Sequence, residues 1–133
     1  MIRTRLAVAA VLPLALAVAS VSLAASAKGS PSLQIFFQLP MKADYQQKTF
    51  ARFAKQWKQP AQVPQPGKKT VVQALIDKDG KVVSATISTE SGSKAWDKAA
   101  LAAVKSAAPF GKLPASVTLP SVEVHFHVEW AAK

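Results

Sequence analysis

Cysteine is absent from all 133 residues, so no disulfide, thiol nucleophile or thiolate metal site is available. Histidine occurs only at positions 125 and 127, and 7 acidic residues stand against 17 Lys and Arg. Asp77 and Asp79 fall in a turn. Asp97 falls in the first turn of a helical stretch, where a carboxylate complements the helix dipole. Ser91 and Ser93 have no base within helical or hairpin reach, which leaves a serine hydrolase without support. No catalytic constellation and no cofactor motif is threaded through the chain. It reads as a non-enzymatic protein that acts by contact.

The formal charge is +10. With residues 1–27 set aside, 15 basic residues face 7 acidic ones, a charge of +8. The lysines run from Lys28 to Lys133, only Lys68 and Lys69 are adjacent, and no nucleic-acid motif accompanies them. This is the pattern of a solvated basic surface, with weak attraction to anionic headgroups as the expected extent of membrane contact. Arg3 and Arg5, the largely apolar Leu6–Leu23 run and Ala25-Ser26-Ala27 form an export signal over residues 1–27. Cleavage after Ala27 would deliver the remainder to the periplasm. The alternative is an uncleaved inner-membrane anchor with the same outward-facing domain. Residues 28–42 then form an N-terminal segment and 43–133 a single domain.

Within residues 28–42, Ser32-Leu-Gln-Ile-Phe-Phe-Gln-Leu-Pro40 is apolar without a clean period, suited to a short strand or to covering part of a core. From Ala43 the pattern turns helical. Asp44 is a candidate N-cap, and Phe50, Phe53, Ala54 and Trp57 form the apolar stripe. Pro60 ends the helix, and PAQVPQPG is a stiff connector. TVVQALID and VVSATIS follow as strands joined through Asp77-Lys78-Asp79-Gly80, a turn in which Gly80 supplies φ > 0. A phase slip predicts a bulge near Val83-Ser84. Ser93 is a candidate cap for the helix KAWDKAALAAVKSAA. Its inward stripe is Trp96, Ala100, Ala103, Val104 and Ala107, and Pro109 ends it. SVEVHFHVEW then alternates strictly.

This α-β-β-α-β succession predicts an α+β two-layer fold: a three-stranded antiparallel sheet of order 2-1-3 with both helices on one face. The last strand is then an open edge, with Val122, Val124, Phe126, Val128 and Trp130 facing inward. An open edge offers unpaired backbone groups to which a partner segment can add as another strand. Two other occupants remain open, the chain's own residues 33–38 and a second copy in a dimer. Trp57 and Trp96 belong to core stripes, whereas Trp130, last before the short tail, is a candidate half-exposed anchor. On the opposite face stand Glu123, His125, His127 and Glu129. His125 and His127 are the candidate ligands of an alternative metal-binding reading, set against plain alternation on a half-wet sheet.

The succession V-x-A-x-I-D-K-D-G-K-V, S-G-S-K-A-W-D-K-A-A-L-A-A-V, P-F-G-K-L-P and V-E-V-H-F-H-V resembles the C-terminal domain of the TonB/TolA family of periplasmic energy transducers, over about Phe50–Trp130. Trp57-Lys58-Gln59-Pro60 before a Pro-rich connector is similar to the TolA branch, which usually carries two cysteines absent here. The resemblance implies a periplasmic interaction module whose last strand pairs with a short segment of a partner. That partner is a TonB-dependent outer-membrane receptor or another envelope protein. It makes Ser121–Trp130 the candidate contact surface. A transducer also needs a membrane anchor and a long spacer. The roughly 16 residues between the apolar start and the first helix reach at most about 60 Å. The expectation is therefore a free adaptor, a competitor for receptor segments or a partner of a separate anchored transducer, with an uncleaved, anchored short transducer as the alternative.

Overall fold

The computed structural model describes residues 29–132. The export signal expected over residues 1–27 lies outside the described residues. The elements run β1 (Gly29–Phe37), α1 (Ala43–Gln56), β2 (Lys69–Asp77), β3 (Val82–Thr89), α2 (Lys94–Ala107) and β4 (Ser121–Ala132). Among the described residues no helix is long and apolar enough to cross a membrane.

The β2–β3 hairpin is set by local chemistry. The Asp77 carboxylate accepts the N–H groups of Asp79 and Lys81, each at 2.9 Å, which closes the turn. Gly80 takes φ +84, a conformation that costs any residue with a Cβ. A Cβ there would also lie 2.5 Å from Gly111 N and nearer still to Gly111 O. The same close approach lets Phe110 N–H donate to the Gly80 carbonyl at 2.8 Å. The hairpin tip is thereby tied to the loop after α2. Pairing shifts between Leu75↔Ser84 and Ile76↔Val82, so Val83 is the extra residue of a bulge. This is the bulge read from the phase slip in the sequence.

The sheet has four strands in the order β1-β4-β2-β3, not the three that the sequence predicts. The added strand is β1. It lies beside β4, so β4 is an inner strand flanked by β1 and β2. Gln38, just past β1, donates its N–H to the Glu123 carbonyl at 2.9 Å and accepts the Glu123 N–H on its side-chain oxygen at 2.9 Å. A backbone edge that would otherwise need water is satisfied from within the chain.

Both helices cover one face of the sheet. In α2, Ser93 accepts the Trp96 N–H at 3.2 Å as N-cap. Trp96, Ala100, Ala103, Val104 and Ala107 are all buried, and the small side chains let the helix approach closely. The N-cap of α1 is Lys42, without a side-chain bond; Asp44 lies instead in the first turn, 3.4 Å from Lys48. The buried face of α1 is Tyr45, Thr49 and Phe53, so the expected stripe through Phe50 is displaced. Tyr45 fixes the phase by donating its hydroxyl to the Gly111 carbonyl at 2.8 Å. Phe50 lies about 100° round from Thr49, and it remains 37% exposed.

Aromatic rings carry the interior. Trp96 meets Trp57 and Trp130 at centroid distances of 4.8 and 5.7 Å. Phe126 meets Phe53 at 4.9 Å and Phe110 at 5.6 Å. Such edge-on, tilted and stacked pairs add to simple area burial. The Trp96 indole N–H donates to the Val128 carbonyl at 3.0 Å, so the largest buried side chain also leaves no orphaned donor.

One buried charge ties three elements together. Asp97 Oδ1 accepts the Thr70 hydroxyl from β2 at 2.5 Å. It also accepts the Ser91 N–H and hydroxyl, from the loop after β3, at 3.0 and 2.8 Å. Asp97→Ala strands these buried donors and should destabilise the fold by on the order of 3 kcal/mol. A lowered urea midpoint with an unchanged slope checks this. Gly80→Ala should lower the midpoint as well, through a loss of about 2 kcal/mol or more of stability from left-handed strain and the clash with Gly111.

Candidate partner-docking edge

The β2–β4 register pairs Val72 with Phe126, Ala74 with Val124 and Ile76 with Val122, and strand alternation then sends all six side chains under the helices. Val122, Val124, Phe126 and Val128 have no exposed surface, and Trp130 retains 7%. These five residues were expected to line an open edge. They are core residues on a strand with two neighbours, and Trp130 is packed against Trp96 rather than half exposed. The physical reason is β1, whose pairing uses the side of β4 that a three-stranded sheet would leave free. Of the open occupants in the sequence reading, the chain's own residues 33–38 fill this position.

The described sheet therefore ends at β1 on one side and β3 on the other. No charged residue occurs between Gly29 and Met41, so β1 has none of the lysines that commonly blunt an edge. Leu33, Ile35 and Phe37 are half-buried against the core, while Phe36 is 50% exposed. Along the outer edge of β1 an open groove of about 540 Å³ is lined by Leu33, Ile35, Phe36, Gln46, Gln47 and Phe50. Sequence reasoning missed this groove. Its available signal was the Phe50 side chain, assigned to the core by helical spacing. On the other side, the Val83 bulge interrupts the β2–β3 register, and Val83 is 62% exposed.

On the face away from the helices, His125 Nε2 lies 2.6 Å from Glu123 Oε2. The His127 ring packs edge-on against Phe36 with centroids 4.7 Å apart. The two histidines are thus engaged by different neighbours. Among the described residues no group of three or more His, Cys, Asp or Glu is placed to hold a metal ion.

A family model described as TonB C terminal matches residues 42–126. That span covers α1 through the first half of β4 and begins after β1. No curated protein and no solved structure matches the chain.

Partial burial, then Lys69 and His125, push the His127 imidazole below its usual value, with Glu129 opposing. The folded state therefore disfavours the protonated ring, and the unfolded chain takes up the proton first. The contribution to stability is complete above about pH 6.5 and is lost as pH falls through the lower folded value. An NMR titration should place His127 below the ordinary imidazole range. Phe36→Ala, by uncovering the ring, should raise that pKa towards the ordinary value.

Proposed function

The chain belongs to the TonB C-terminal family, and on that footing we propose that it is a non-enzymatic interaction module of a TonB-type transport system. It works in the periplasm after export by residues 1–27. Its partner is a segment of another envelope protein, an outer-membrane receptor of that system. The segment joins the sheet by β-strand addition on the β1/β4 side. Main-chain hydrogen bonds give the affinity in this mode, and alternate side chains give the specificity.

One observation carries the choice of side: an uncharged terminal strand with an apolar groove beside it borders a β4 held rigidly from below. The roles of the β4 residues follow. Val122, Val124, Phe126, Val128 and Trp130 lie buried under the helices and not on the sheet's outer boundary. They clamp the strand to the helices, so that its backbone is a preorganised template, and preorganisation reduces the ordering cost of binding. The β3 side is less suited, because the bulge at Val83 breaks the regular spacing of donors and acceptors that an added strand would need.

Short overlapping peptides tiled across the periplasm-facing segments of outer-membrane receptors from the same cell test this reading. Titrated into the ¹⁵N-labelled chain, a binding peptide should shift amide resonances along β1 and β4 and leave those of β3 in place. Shifts confined to β3 or to the α2 surface, or no shifts from any receptor peptide, would overturn it.

A further inference from the structure

Resting on the strand-addition reading, we propose that β1 is a resident occupant of the docking site, which the partner segment replaces rather than extends. Three independent features point this way. The family match begins at residue 42, so α1-β2-β3-α2-β4 is the shared unit and β1 lies outside it. The fully buried cluster is built by α1, β2, α2, Phe110 and β4, whereas Leu33, Ile35 and Phe37 pack against it only half-buried. The β2–β4 ladder runs without a shift from Lys69↔Glu129 to Asp77↔Ser121. Release of β1, a strand joined to α1 through residues 38–42, therefore leaves the core and the remaining pairing in place.

Sequence details suit β1 to leaving. Pro31 has no N–H to give to a ladder, and Phe36 contributes its ring to the open face, where half of it stays in water. The tie at the far end is the Gln38–Glu123 pair. While docked, β1 competes at the high effective concentration of a tethered segment, on the order of millimolar. The apparent affinity of a partner falls by the fraction of chains in which β4 is uncovered.

The resident strand also describes its replacement. Inward Leu33, Ile35 and Phe37 alternate with outward Gln34, Phe36 and Gln38, and no charge appears. A partner segment that wins this site is an uncharged strand with three apolar residues at alternate positions, the third aromatic. It must also give a backbone N–H to the Glu123 carbonyl and, as the Gln38 side chain does, an acceptor to the Glu123 amide.

The absence of native cysteine makes the test clean. Gln38→Cys with Glu123→Cys joins neighbours about 5 Å apart across the β1–β4 boundary, within the reach of a disulfide. The probe is a fluorescein-labelled peptide of residues 30–38, read by anisotropy against the full-length chain. The reduced double variant should bind it, and the oxidised form should bind at least ten-fold more weakly. Ile35→Asp, which weakens docking of β1 and replaces no member of the fully buried cluster, should bind several-fold more tightly than the unmodified chain. Near-ultraviolet circular dichroism confirms that each form is folded. Equal binding by oxidised and reduced forms would place the peptide on the outer edge of β1 or on β3. Replacement would then be overturned while strand addition survives. Absence of binding in every form, Ile35→Asp included, would also overturn replacement, and the receptor-peptide titration judges strand addition separately.

Discussion

A nine-pair antiparallel ladder between β2 and β4, unbroken from Lys69↔Glu129 to Asp77↔Ser121, decides what every other part of this molecule does. Side chains alternate across a sheet, so a slip of one residue would exchange the two faces of β4 completely. In the observed register Phe126 meets Phe53 and Phe110, Trp130 meets Trp96, and the Val128 carbonyl receives the Trp96 indole. The same register turns Glu123, His125 and His127 to the other face. Core and candidate surface are two consequences of one pairing. A substitution that moved the ladder would abolish both.

What was legible in the sequence is what local chemistry determines. The Asp77–Gly80 turn closes through its own carboxylate, Ser93 caps the helix that follows it, and the small-residue stripe of α2 is buried as its spacing requires. The Val83 bulge was readable because a phase slip is itself a local signal. The phase of α1 was not. Tyr45 chooses it by reaching Gly111, 66 residues away, and nothing in the spacing of Phe50, Phe53 and Trp57 announces that bond.

The candidate site shows the same division more sharply. Val122 to Trp130 alternate so strictly that their inward set was readable, but alternation carries no information about which neighbour lies beside a strand. Residues 33–38 place Ile35, Phe36 and Phe37 in succession, between Pro31 and Pro40, with no clean period of two. Their strand conformation comes from the edge of β4, and the Gln38–Glu123 contact spans 85 residues. Strand β1 has a blurred alternation because Phe36, on the face away from the helices, is apolar too and packs against His127. Its place in the sheet is a tertiary fact.

Edge management explains why such a strand is present at all. Uncovered, β4 would display a long flat edge free of proline and glycine from Ser121 to Ala132, the kind that pairs with copies of itself and leads to aggregation. Net charge gives limited protection, since repulsion between surface charges fades beyond about 8 Å at physiological ionic strength. The charges that β4 carries, Glu123 and Glu129, stand on the face away from the helices, and a neutral terminal strand covers the backbone edge between the two faces. It satisfies the β4 backbone while no partner is present, and its own half-buried side chains hold it less firmly than the core holds β4. Its outer edge is weakened in turn by Pro31, and the opposite edge of the sheet is disrupted by Val83. Each boundary is guarded by a different device, and only the guard on β4 can be withdrawn without breaking the β2–β4 ladder.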